Sequence, residues 1–347
     1  MQRFRGISST VFSALLAGLL GLLASAEKHA SPSIEFTVVP PGGNGSGIRI
    51  DIIEGRVAGA APGQRIILFA KAAEAWWVQP SASRPFTEVQ PDFRWKGFTH
   101  PGTAYAALLV DTQYVPPAKV GELPAKGGPI LAVATTAAGP APPPAKEIQY
   151  KGYPWRVREA GRAQAGQINF YDPANVSIDS NGLLHLRISR RGDQWTCAEV
   201  TLTRGLGYGS YRFVVRDISQ LEPAAVFTVG PSAKMAIEMS RWGRPEDKNA
   251  QYVITPYTVP ANTVRFDVPG GVVTHWMNWE QGRVTFRSFR GEARGTGRNA
   301  VAEHVFTSGV KAPGNEGVSL NLYVYESQGL SLKHPVEVIV ENFEFLP

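Results

Sequence analysis

With 36 glycines and 27 prolines among 347 residues, and only 18% of residues charged, the chain has the turn chemistry of an all-β protein and the length of two domains. Its formal charge of +6 is scattered over short pieces such as "RISRR" at 187–191, "RSFR" at 287–290 and "RGTGR" at 294–298; no basic helix and no basic run with interleaved aromatics accompanies them, which speaks against a nucleic-acid partner. Cys197 is the single cysteine, so no intramolecular disulfide can form and the core has to hold the fold.

In chain order, residues 1–26 read as a secretion signal. "MQRFR" is a basic start, "VFSALLAGLLGLL" an apolar stretch of 13 residues, and Ala24, Ser25 and Ala26 a small-residue cleavage site. The apolar stretch is too short to span a bilayer, and no later run is long enough. The expected mature chain is therefore secreted or periplasmic, without a membrane span.

Residues 27–136 are expected to form an immunoglobulin-like β-sandwich. "GIRIDII" alternates, "QRIILFAK" is a continuous apolar run, and "TAYAALLVD" follows the turn "HPG", with "AWWVQP" and "FRWKGF" between them. Trp76 and Trp77 are adjacent and point to opposite faces of a strand, so one is expected in the core and the other is a candidate platform. Residues 137–147, "AAGPAPPPAKE", read as a Pro-rich linker of extended geometry.

Residues 148–347 hold about a dozen strand patterns. They begin with "NVSIDSNGLLHLRISR", a hairpin signalled by its Asn-Gly turn, and continue through "TCAEVTLTR", "GSYRFVVRDI", "AAVFTVG", "KMAIEMSRW", "AQYVITPYTV" and "TVRFDV" to "VVTHWMNWEQGRVTFRSFRG", "VSLNLYVYE" and "VEVIVENFEF". So many strands with almost no helix imply two stacked antiparallel sheets.

The order and spacing of "YPWRVR", "NGLLHLRI", "AEVTLTRGLGYGSYRFVVR", the 234–242 strand, "VTHWMNWEQGRVTFRSFRG" and "PVEVIVENFEF" resemble glycoside hydrolase family 16. The resemblance implies a concanavalin A-like lectin/glucanase jelly roll over 148–347. It also implies an active strand of pattern E-x-D-x-E, carrying nucleophile, intervening Asp and general acid/base. On this sequence those positions are Lys234, Ala236 and Glu238, so only the acid/base position matches.

A retaining glycosidase needs two carboxyl groups about 5–5.5 Å apart. A protonated lysine has no lone pair with which to attack, and a lysine beside Glu238 would lower the carboxyl's pKa, where a general acid needs it raised. Glu238 is thus expected either to line a ligand cleft or to pair with Lys234 or Arg241. An inverting reaction would need a second carboxylate, for which Glu199 on "CAEVTL" is the candidate.

Sugar rings suit aromatic platforms with a polar handle, which makes Trp242, Trp279, Trp195 and Tyr208 candidates. By resemblance His275 faces the cleft near the acid/base position, leaving Trp276 for the core. No zinc-type spacing and no calcium loop appears, so no cofactor is expected; the resemblance leaves room for a structural calcium held partly by backbone oxygens.

The reading is an exported protein that binds a polysaccharide or cell-envelope glycan with degenerate hydrolytic machinery. The alternatives are an active β-glycan hydrolase or transglycosylase using Glu238, and an envelope scaffold with a protein partner.

Overall fold

The computed structural model describes residues 31–45, 47, 49–164, 167–232, 234–293, 300–325 and 331–347. The expected signal at 1–26 lies outside the described residues.

The N-terminal part is a sandwich of two sheets. Ser33–Val38, Asp51–Ala58 and Arg94–Thr99 form one; Lys119–Val120, Ala75–Gln79, Arg65–Ala72, Ala104–Val110 and Ile130–Ala137 form the other, with Phe86–Glu88 paired to Arg65–Ala72. The continuous apolar run in Arg65–Ala72 has a physical cause, because both of its faces are covered. Ile66, Leu68 and Ala70 pack with Ile53, Val57 and Trp95 between the sheets. Ile67 and Phe69 pack with Val78, Leu108 and Val110 under Val120 and Leu123. Trp76 joins this outer cluster, while Trp77 stays exposed beneath the Lys119 ammonium, 4.6 Å from its ring.

Beyond Ala137 the chain runs without a strand until Glu147. The remainder is a jelly roll of two antiparallel sheets. The first has the order Glu147–Tyr150, Tyr153–Val157, Gln194–Leu202, Ser319–Val324, Ala225–Ser232, Met235–Met239, Ala250–Ile254, Thr263–Phe266. The second runs Val176–Ile178, Leu184–Arg191, Val336–Leu346, Gly209–Arg216, Val272–Glu280, Arg283–Arg290, Ala300–Phe306. The Leu184–Arg191 and Gln194–Leu202 strands pair at their adjoining ends, which ties the sheets at one corner.

Alternation sorts the side chains. Trp155, Val200, Leu322, Phe227, Ile237 and Tyr252 of the first sheet meet Leu186, Val338, Phe213, Met277 and Phe286 of the second in one core. The opposite parity of the first sheet is the face that carries the candidate site.

Two backbone hydrogen bonds connect the N-terminal sandwich to this jelly roll. Ile50 N–H donates to the Gly161 carbonyl at 3.0 Å, and Gly161 N–H donates to the Ile50 carbonyl at 2.7 Å. A Cβ on Gly161 would stand 2.7 Å from the Ile50 oxygen and 2.9 Å from the Phe170 ring, so the close approach needs glycine.

Candidate functional site

On the outward face of the first sheet, six side chains follow one another across six strands by direct register. They are Arg265, Gln251, Glu238, Thr228, Asn321 and Glu199. An outward sheet face ordinarily meets water, yet Glu199, Asn321, Glu238 and Gln251 are all buried. Glu199, Asn321 and Glu238 lie in the floor of a cleft of about 520 Å³, walled by Arg158, Arg162, Gln164, Tyr257 and Glu316, with Gln251 hydrogen-bonded to Glu238 beside it.

Glu238 is 6% exposed. Gln251 Nε2 donates to its Oε2 at 2.7 Å, and the Tyr257 hydroxyl donates to its Oε1 at 2.9 Å. Burial pushes the Glu238 carboxyl above its ordinary range, against the opposing pull of those two hydrogen bonds and of the Arg265 charge. The carboxyl is thereby tuned in the direction a proton donor requires.

The expected ion pair of Glu238 with Lys234 or Arg241 is corrected. Lys234 Nζ sits 2.7 Å from Glu316 Oε1, and Arg241 donates to the Asp247 carbonyl. The physical reason is the end of the strand: Lys234 precedes Met235–Met239 and its exposed side chain reaches Glu316 in the loop that leads into Ser319–Val324. Ala236 lines the cleft beside Glu238.

Glu199 lies in the same cleft, three strands from Glu238. At the usual strand spacing their backbones are about 14 Å apart. Glu199 is held at its own end of the row. Arg158 Nε donates to one of its oxygens, Arg162 Nη1 contacts both at 3.2 and 3.3 Å, and Ser319 Oγ adds a third donor at 3.2 Å. Saturated by donors, it acts as an anchor for two arginines and has little capacity left to take a proton from water.

The aromatic candidates lie elsewhere. His275 does not face the cleft; it is fully buried between the sheets, where Ser288 Oγ bridges its Nδ1 and the Tyr252 hydroxyl at 2.7 Å each. Burial drives its pKa down to about 3. Trp279 shares that parity and is core, its indole N–H donating to the Lys311 carbonyl at 3.2 Å, while Trp276 is on the outer face and only half-buried. The expected assignment of Trp276 to the core is thus reversed.

Tyr208 is exposed with its ring edge-on to Trp279. Trp242, in the left-handed backbone region at φ 45°, packs on the rim of the core under the Arg265 guanidinium, 4.6 Å away. Trp195 borders a different hollow with Lys96, Phe98, Gln167 and Val324. None of these four aromatics walls the cleft of Glu238.

The aromatic that does is Tyr257, which was not singled out from the sequence. The residue is 52% exposed while its hydroxyl is anchored on Glu238. Arg158, Arg162, Gln251, Asn321 and Glu316 were also missed. A faint signal existed: polar residues at every second position of otherwise apolar strands, as in "AEVTL", "SLNLYV" and "AQYVI".

Among the described residues no helix is long and apolar enough to cross a membrane, and no three His, Cys, Asp or Glu side chains converge as a metal site.

No family model matches the sequence, and no curated protein matches it. Solved structures similar in fold include a Bacillus licheniformis beta-glucanase, 14% identical at a TM-score of 0.44 over 58% of this chain and 98% of that one. A Bacteroides ovatus GH16 protein of a mixed linkage glucan locus, solved with its G4G4G3G product, is 14% identical at 0.42 over 58% and 99%. A Mycobacterium marinum beta-1,3-glucanase is 18% identical at 0.39 over 54% and 88%. At such identities and TM-scores the likeness carries nothing about what this chain does.

Proposed function

We propose that this chain is an exported carbohydrate-binding protein that holds a polysaccharide or cell-envelope glycan in the cleft above Glu238, without retaining hydrolysis. One observation carries the reading: a polar row, Gln251–Glu238–Thr228–Asn321–Glu199, in which all but Thr228 are buried on a sheet face that would otherwise be solvated, beside the half-exposed Tyr257. Sugars offer hydroxyl edges for such a row and C–H faces for such a ring.

Hydrolysis is disfavoured by the carboxylates around Glu238. Lys234 and Ala236 occupy the positions where the resemblance would put the other two, and Glu199 is committed to its arginines.

A second reading, acid catalysis by Glu238, is favoured by its raised pKa alone. Affinity electrophoresis and reducing-end release over a panel of glycans separate the two. Binding without product release is the expected result. Release that disappears in Glu238→Gln would overturn the binding-only reading, and no retardation by any glycan would sink both.

A further inference from the structure

We propose that the glycan is acidic, carrying carboxylate or sulfate groups that Arg162, with Arg158, receives at the Glu199 end of the cleft. The inference rests on the carbohydrate-binding reading above and names the chemistry that the cleft selects. Two guanidiniums converge on one carboxylate, so that end of the floor keeps one positive charge more than Glu199 balances. Arg162 meets Glu199 through Nη1 alone. No protein acceptor among the described residues takes a hydrogen bond from its Nε or Nη2, which leaves donors in the fork geometry that suits a carboxylate or sulfate.

Among the described residues that line the cleft, the remaining charges do not cancel this surplus. Glu316 is matched by Lys234, and Arg265 by Asp247. Glu238 sits at the other end of the floor, three strands from Glu199. Arg162 is also central: its charge acts on Tyr257, Tyr323 and Tyr171 as well as on Glu199. Its position is built. It follows Gly161, whose backbone is fastened to Ile50 on both sides, and Ala160, held at φ 76°. The N-terminal sandwich thus supports the Ala160–Gln164 strand that presents the arginine.

The test uses the full mature chain in titration calorimetry with three probes: polygalacturonate, a sulfated galactan and a neutral mixed-linkage β-glucan. The expected result is an affinity for at least one acidic polymer about tenfold or more above the neutral one, falling as salt rises. Arg162→Gln should lower the affinity for the acidic polymer about tenfold, much more than that for the neutral glucan, and so remove that preference, and Arg158→Gln should weaken it. Polygalacturonate ahead of the galactan would assign a carboxylate ligand, and the reverse order a sulfate. Equal affinity for acidic and neutral probes, or an Arg162→Gln loss shared by all three, would overturn the inference while leaving the carbohydrate cleft standing. Absence of binding to every glycan would instead remove the reading beneath it.

Discussion

Lys234 Nζ stands 2.7 Å from Glu316 Oε1, and this pair, at the mouth of the cleft, takes the lysine away from Glu238. The consequence reaches the chemistry of the floor. A lysine on Glu238 would hold that carboxyl ionised, whereas burial without such a partner favours its protonated form.

Lys234→Ala should therefore change little. Both partners are well exposed, at 51% and 39% of their side chains, so solvent screens the pair and its loss should cost less than about 1 kcal/mol. Glu316 should titrate closer to an ordinary glutamate once its ammonium partner is gone, because that partner is the main cause of its lowered pKa. Carboxyl NMR titration of the variant checks both statements, with Glu238 expected to keep its raised pKa.

Glu238→Gln should stabilise the fold in a pH-dependent way. The folded pKa of Glu238 is raised, so its contribution is fully present below its ordinary value of 4.5 and is lost as pH rises through the folded pKa. Glutamine has no charge to bury. Relative to the parent, the variant should gain stability on going from pH 4 to pH 8 and level off once the parent is fully ionised. Urea unfolding at a series of pH values measures the difference; a flat difference would show that the fold leaves the Glu238 pKa at its unfolded value.

His275 gives the opposite slope. Its folded pKa is lowered to about 3, so the stability it contributes is present above the ordinary value of 6.5 and is lost as pH falls toward 3. Each pH unit in that window should cost about 1.4 kcal/mol through this group. His275→Asn keeps a hydrogen-bonding group near Ser288 without the titration. Its unfolding free energy should fall less between pH 6.5 and 4.5 than the parent's, by about 2–3 kcal/mol.

Tyr257 separates platform from hydroxyl. Tyr257→Ala removes the half-exposed ring and should weaken glycan binding about five- to tenfold, the effect of about 1–1.5 kcal/mol of aromatic contact. Tyr257→Phe keeps the ring and removes the donor to Glu238 Oε1, so most affinity should remain while the Glu238 pKa rises further. Calorimetry paired with carboxyl titration reads the two effects separately.

Glu199→Ala should destabilise the jelly roll by about 1–3 kcal/mol. Removing one partner of a fully buried ion pair costs roughly 3–5 kcal/mol; here Arg158 and Arg162 keep 24% and 26% of their side chains in contact with solvent, which softens the loss. Thermal unfolding of the variant measures it. Unchanged stability would mean that the arginines are as well solvated without Glu199 as paired with it.

Periodicity made much of the architecture legible. Alternation in "AEVTL" and "AIEM", continuous apolar runs such as "RIILFA" and Asn-Gly turns each report a local preference that the tertiary contacts preserve. The site was less legible, since parity says which side chains share a face but not which face is core. Trp276 and Trp279 show this. Their opposite orientation followed from spacing, yet only the meeting of the two sheets put Trp279 and His275 inside.

The sequence by itself determined the all-β class, the breaks between strands, and the common face of Ala236 and Glu238, because these depend on near neighbours along the chain. Only the tertiary structure decided that Glu238 faces Tyr257, that Lys234 turns to Glu316, and that Arg158 and Arg162 share Glu199. Those pairings join residues 19 to 82 positions apart. Strand order and register bring them together, and neither is encoded in any single stretch of the chain.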